Sequence, residues 1–343
     1  MSGWFQSILQ WIYSWLGNYG WSVVVFTLLV RMVLLPLDIR SKKSMRAMSK
    51  IQPKVQALQK KYANDKEKLN VKMNELYKKE HVNPMSGCLP MLISLPILWF
   101  MFAAMRNMAN EHTVQMILDM KEMLAGGSTA EAVAESVRAN MQGWLWIKNV
   151  FQPDSFMATI LPKVGDTLRT VAVVKNSPVL TEANLTMARE FLATDAYAAI
   201  AAQFGTNAFQ AIQLHLLIAN PVLMLPSSFA NVFKYANGLF ILPLLAGASQ
   251  FLMTAVTNGQ QPKKDENASE EENAVANTMN SGFMKWFFPL FSLYICAGYN
   301  AAFAIYWMAA NVIQIAQQLA VNWYFDKKDR EAASAEGQDD SIK

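Results

Sequence analysis

The residue whose position most demands a chemical explanation is Arg31. It lies about twelve residues into the apolar run Tyr19–Leu37, a stretch long enough to span a bilayer. At that depth an arginine costs about 2.5–3.5 kcal/mol on insertion scales, so its guanidinium has to face protein or water. The apolar runs carry no Asp or Glu apart from Asp38, at the far edge of the first. Backbone carbonyls or water are therefore the expected partners. The expected chemistry is attraction rather than reaction: a hydrated, positively charged cavity that draws in acidic or polar segments of another chain. Thr27, one turn before Arg31, shares its helix face. Ser249, Gln250 and Thr254 lie in a later apolar run, and Asn311, Gln314, Gln317 and Gln318 lie in the last, after Tyr306 and Trp307. Singly, each polar residue suits an inter-helix hydrogen bond. As a set converging on Arg31, they could line one cavity.

The other reactive side chains form no reactive set. His81, His112 and His215 are scattered, and Cys88 and Cys296 both sit in apolar runs. No disulfide framework, zinc spacing or Gly-rich phosphate fingerprint is present. No catalytic residue, metal or cofactor is expected, and no enzyme. A secondary transporter or channel using the same polar cavity is the alternative of a different class. It would call for a coupling-ion site and internal repeats, and the sequence offers neither a repeat nor a carboxylate at span depth.

The elements that must position these residues follow from composition and periodicity. Of the residues, 53% are apolar and only 16% charged, against about 25% charged in soluble domains. We expect an all-α polytopic membrane protein with five transmembrane helices around a hydrophilic groove. Residues 1–18 read as an uncharged interfacial amphipathic helix, with Trp4, Phe5, Ile8, Leu9, Ile12, Trp15 and Leu16 at helical spacing. A cleaved signal peptide is the competing reading, without a basic n-region to support it. Residues 19–38 are the first span. Residues 39–82 are a helical hairpin turning at Ala63-Asn64-Asp65, with Met45, Met48, Val55, Leu58 and Tyr62 facing Leu69, Met73, Leu76 and Tyr77. Pro53 is expected to kink its first helix. Residues 84–106 are the second span. Residues 107–237 form a loop domain with inserted helices, one starting near Thr129 at a Ser128/Glu131 capping box and another within Leu180–Phe204. Residues 238–257, 283–298 and 300–325 are the remaining spans, with a polar loop over 258–282 and a polar, disordered tail over 326–343. The fairly apolar stretch 207–226 is read as a buried or membrane-resting helix in preference to a sixth span.

Ile39–His81 carries 13 Lys and Arg against 4 Asp and Glu, while the first twenty residues carry neither Lys nor Arg. Positive charge stays cytoplasmic. The N-terminus is thus expected outside, with the hairpin, the 258–282 loop and the tail cytoplasmic. The basic hairpin is a topology signal, and equally a docking surface for ribosomal RNA, anionic lipid or acidic chain segments. The fourth span holds only about 16 residues, roughly 24 Å of helix against a hydrocarbon core of about 30 Å. Such a short span should thin the bilayer locally.

At this point the chain resembles the YidC-type membrane protein insertases, the group that includes the mitochondrial oxidase-assembly and chloroplast thylakoid insertases. The resemblance rests on Leu29-Val30-Arg31 with Leu34, Leu35 and Pro36; on Asn83-Pro84, Gly87-Cys88-Leu89-Pro90 and Pro96; on Trp144-Leu145-Trp146-Ile147 with Gln152-Pro153-Asp154; on Leu242-Pro243 with Gly247; and on Tyr306-Trp307 with Asn311, Ile315 and Gln317. It covers residues 19–106, 144–162 and 238–325. It implies a groove open to cytoplasm and lipid, with Arg31 as the groove arginine and Trp307 and Gln250 lining it. It also implies nascent membrane-protein clients, contacts with lipid, the ribosome and the Sec translocon, no DNA, and a bacterial plasma-membrane location. Residues 163–236 do not match the family core. The tail, with 4 basic against 6 acidic residues after Phe325, differs from the long basic tails of relatives that use them at the ribosome. The large periplasmic domain of Gram-negative relatives is not read between the N-terminus and the first span, giving a Gram-positive-type layout.

Overall fold

The computed structural model describes residues 2–82, 89–162, 168, 171–174, 177–205, 209–213, 222–226, 234, 236–258 and 282–340. The elements run α1 (Ser2–Leu16), α2 (Tyr19–Lys61), α3 (Lys66–Lys79), α4 (Leu89–Ala125), α5 (Ala130–Asn140), α6 (Glu182–Leu192), α7 (Asp195–Gln203), β1 (Phe209–Gln213), β2 (Val222–Pro226), α8 (Ile241–Asn258), α9 (Gly282–Gly298) and α10 (Ala301–Asp340). Among the described residues, the regular elements are helices and one antiparallel hairpin, in which Phe209 pairs with Pro226 and Gln213 with Val222. That hairpin corrects the expected helix over 207–226. The reason is legible afterwards. Pro221 and Pro226 interrupt the stretch, and a short apolar run bounded by prolines suits a strand better than a helix interior.

The helices outrun the expected boundaries at two places. α4 continues past Arg106 to Ala125, and α10 continues past Phe325 through residues expected to be a disordered tail. Neither Gly nor Pro occurs between Ile97 and Ala125, or between Ala301 and Glu336. Charge marks where a helix leaves apolar surroundings, whereas backbone propensity decides where it stops. Elsewhere the caps are local. Asp65, Thr129, Thr181 and Thr194 each accept a hydrogen bond from a backbone N–H three residues on, opening α3, α5, α6 and α7. The cap of α5 is thus Thr129 itself rather than Ser128. Asn83-Pro84, Gly87-Cys88 and most of the 258–282 loop lie outside the described residues.

The chain divides into two compact units. The first comprises residues 1–26, 99–246 and 292–308. Its main core joins Val114, Ile117 and Met120 of α4 with Val133, Ala134 and Val137 of α5, Leu185 and Phe191 of α6, and Tyr197 and Ile200 of α7. α1 turns Leu9 and Ile12 inward and leaves Trp4, Trp11 and Trp15 exposed. The Glu111 carboxylate of α4 ties this unit together: Gln6 of α1 donates to one oxygen and Ser177 Oγ to the other.

The second unit comprises residues 27–98, 247–291 and 309–343. Its hairpin closes on Ile51, Val55 and Val82, with Met48, Met73, Leu76 and Tyr77 packed around them. This is largely the face read from periodicity. Lys54 Nζ meets Glu80 at 2.6 Å to fasten the two arms. Large apolar side chains on α2, α8, α9 and α10 stay uncovered, among them Val33 (76% exposed), Leu252 and Phe291. Continuous apolar surface of this kind marks a membrane or partner contact. Among the described residues, α2 is long and apolar enough to cross a membrane, and Ile241–Thr257 is a shorter apolar helix.

Candidate functional site

The expected cavity residues fall mainly in the second unit, on α2, α8 and α10. Thr27 is fully buried and Arg31 half-buried, one turn apart on α2. Asp38, two turns beyond Arg31, lies within electrostatic reach of both Arg31 and Lys42. The positive face of α2 is therefore partly offset at this end. Gln317 of α10 reaches the same place: its Nε2 donates to the Arg31 carbonyl at 3.2 Å, while its Oε1 is buried without a hydrogen-bond partner among the described residues. The contact falls just before Pro36, whose missing N–H leaves the carbonyl of Met32 without its usual helical donor. Gln317 thus ties α10 to α2 one residue before the carbonyl that Pro36 leaves without its helical donor.

Asn311 and Ser249 form a second polar contact, with Asn311 Nδ2 donating to Ser249 Oγ at 3.1 Å, both side chains buried. Such a pair satisfies two groups that would be costly alone in apolar surroundings. Gln318 makes a third. Its Nε2 lies 3.4 Å from Thr257 Oγ1 and 3.6 Å from Met253 Sδ, while its Oε1 receives Lys42 Nζ at 3.5 Å. Lys42 donates also to Asn322 Oδ1 at 3.1 Å. Gln250 and Gln314 are half-buried on α8 and α10. The structure thus joins Arg31 with Gln317, Asn311 with Ser249, and Gln318 with Lys42 in one polar seam. Trp307 belongs to the first unit, where its ring packs 5.6 Å from Phe303 and its buried indole N–H has no hydrogen-bond partner among the described residues. Lys42 and Asn322 escaped the sequence reading because each borders a charged segment and looks solvated there.

A second arrangement, in the first unit, fixes the start of α8. Asp154 is fully buried. The backbone N–H groups of Leu239 and Phe240 donate to its Oδ1 at 2.7 and 3.1 Å. Leu242 N–H and Trp146 Nε1 donate to Oδ2 at 2.6 and 3.2 Å. One carboxylate thereby caps a helix 85 residues away and complements its positive N-terminal dipole. Beside it, Asn237 Oδ1 accepts from the Asn149 N–H at 2.8 Å, and its Nδ2 donates to the carbonyls of Asn149 and Pro153, each at 2.9 Å. Gly238 is required here, since a Cβ would fall 2.0 Å from Asp154 Oδ1. Among the described residues, no group of three or more His, Cys, Asp or Glu could hold a metal ion.

The Trp-rich motif and the seam thus occupy defined places in one chain, and its sequence matches the model of the 60Kd inner membrane protein family over residues 11–328. The chain belongs to that family. Similar curated proteins are each called membrane protein insertase YidC. The one from Fusobacterium nucleatum is 46% identical over 94 residues, covering 27% of this chain and 46% of the relative. That of Caldanaerobacter subterraneus is 44% identical over 100 residues, covering 29% and 48%. A longer match, to that of Chlorobaculum parvum, is 30% identical over 181 residues, covering 52% of this chain and 26% of the relative. The matches span at most about half the length of these relatives.

Proposed function

We propose that this protein is a membrane protein insertase and chaperone, acting without covalent chemistry, nucleotide or metal. It receives client transmembrane segments in a positively charged hydrophilic groove and releases them into lipid. Its family membership and the shared name of its relatives support this activity. The observation that supports the mechanism is the set of polar contacts along α10, where Gln317 donates to the Arg31 backbone carbonyl of α2 and Asn311 donates to Ser249 of α8. Polar groups gathered within helices whose outer faces are apolar offer a client's polar segment a shorter dehydrated path.

In this reading α2, α4, α8, α9 and α10 supply five spans, at 19–38, 84–106, 238–257, 283–298 and 300–325. The hairpin and the end of α10 face the cytoplasm, and the loop domain lies outside. Arg31 attracts acidic or polar translocated segments. Gln250 and Gln314, both half-buried, keep the groove wet, and Thr27 and Asn311 add polar groups to its wall. Burial of the client's apolar span in lipid, with the membrane potential, drives release. Nascent chains are the clients, with the ribosome and Sec translocon as further partners, in a bacterial plasma membrane.

The test is insertion into reconstituted vesicles of two clients that differ only in the charge of the translocated segment. Arg31→Glu should reduce insertion of the acidic client at least tenfold and spare the neutral one. Arg31→Lys should retain most activity. Equal insertion of both clients by Arg31→Glu would refute the electrostatic role. A solute-flux measurement on the same vesicles separates this reading from a transporter or channel.

A further inference from the structure

The basic hairpin has an internal partner in the extension of α10. Lys42, Arg46 and Lys50 recur every four residues, so they form one stripe along α2. Gln318, Asn322, Asp326 and Asp329 form the facing stripe on α10. The two stripes are in register. Lys42 meets Gln318 and Asn322. Arg46 Nη2 meets Asp326 at 2.6 Å and the Asn322 carbonyl at 3.2 Å, and Nη1 meets Asp329 at 3.3 Å. Lys50 also reaches Asp329, at 3.3 Å. The Arg46 guanidinium lies 5.2 Å over the Phe325 ring, an added cation–π contact. The sequence shows an acidic tail and a basic hairpin; the fold lays one against the other.

We propose that the α10 extension is an ionic clasp that holds the first arm of the hairpin against α10, and that ionic competition releases it. The Arg46 side chain is 27% exposed, and those of Asp326 and Asp329 are 59% and 53% exposed. Exposed pairs are individually weak and salt-sensitive. A set of three ion pairs, with two further contacts from Lys42, is therefore firm at low ionic strength yet reversible, as a clasp requires. It also engages Arg46 and Lys50, so an anionic partner that binds these two residues competes with Asp326 and Asp329. Because Gln318 of the same stripe also contacts α8, the clasp couples the hairpin's tilt to the polar seam.

Distance measurement between two spin labels tests this on the full chain, independently of any insertase activity. Labels go on Asn64→Cys at the hairpin turn and Ser334→Cys on α10, both exposed, with Cys88→Ala and Cys296→Ala as background. From Arg46 to Lys61 the arm is about 22 Å long, so a tilt of about 20° moves the turn by about 8 Å. In neutral-lipid discs at low salt, the parent should give one narrow distance distribution. Asp326→Asn/Asp329→Asn should broaden it or shift it by several ångströms. Raising salt to about 0.5 M should do the same to the parent and little more to the neutralised variant, since the Debye length shrinks from about 10 Å at 0.1 M toward 3 Å at 1 M. Exchanging the charges, with Arg46→Glu/Lys50→Glu and Asp326→Arg/Asp329→Arg together, should restore the narrow distribution at low salt. An unchanged distribution in the neutralised variant would overturn the clasp, as would a salt response of equal size in both proteins.

Discussion

Asp154 offers the most direct test of how this fold is held together. Substituting Ala removes an oxygen pair that receives three backbone N–H groups and one indole N–H. Hydrogen bonds to a charged group contribute about 1.5–3 kcal/mol each, and they are not additive because the acceptor is shared. Loss of the helix cap alone costs about 1 kcal/mol, and each donor left buried adds a desolvation penalty of about 1–3 kcal/mol. Partial relaxation of residues 238–242 offsets part of this, so Asp154→Ala should destabilise the first unit by roughly 3–5 kcal/mol. Asp154→Asn keeps one acceptor oxygen and turns an NH₂ toward the other donors, and should cost roughly half as much. Hydrogen exchange in detergent micelles reads the effect at its source. The amides of Leu239, Phe240 and Leu242 should exchange about 10²–10³ times faster in Asp154→Ala, each 1.4 kcal/mol being tenfold. Helix α3, in the other unit, serves as the internal control. Protection at the three amides within threefold of the parent, with an unchanged melting temperature, would show that the carboxylate is not the cap.

Gly238→Ala should destabilise the same joint by several kcal/mol, because its Cβ would overlap both Oδ1 and the main chain of Asp154; chemical denaturation followed by Trp fluorescence measures this. Gly20→Ala should loosen the packing of α2 on Trp144, whose side-chain atoms would lie 2.2–2.7 Å from the new Cβ. Its signature is a red-shifted Trp emission and a lower melting temperature. His112 should make the first unit acid-sensitive. Burial against Phe151 holds its imidazole below the ordinary value, with Asp119 only partly opposing. The proton is thus bound more readily by the unfolded chain. The neutral ring's contribution is complete above the unfolded value of about 6.5 and is lost as pH falls through the lower folded value. Melting temperatures at pH 7.5 and 5 should therefore diverge more in the parent than in His112→Gln.

Much of the second unit was legible because its determinants are local. The hairpin's apolar faces recur at helical spacing, and Asp65 sits where a turn meets a cap. The helices over the last three apolar runs start within three residues of the expected positions. The seam residues were legible by type, since Arg, Asn and Gln within apolar runs are conspicuous, but their pairing was not. Which amide meets Arg31, and which meets Lys42, depends on how α2 and α10 align across some 280 residues of sequence. The Asp154 joint was hidden for the same reason: three of its four donors are backbone groups, which carry no residue signature. The 207–226 stretch misled because five-residue apolar runs have too few turns to distinguish periods of 2 and 3.6.

The stretch from 163 to 236 looks, in linear order, like something that could be excised. Its helices α6 and α7 nevertheless complete the same interior as α4 and α5. A shortened variant made by joining the flanks would leave Val114, Ile117, Val133 and Val137 facing water, turning a packed wall into an adhesive one. Anyone seeking a minimal form of this protein would need to redesign the orphaned faces as well as the cut, and so would any evolutionary path that shed the segment.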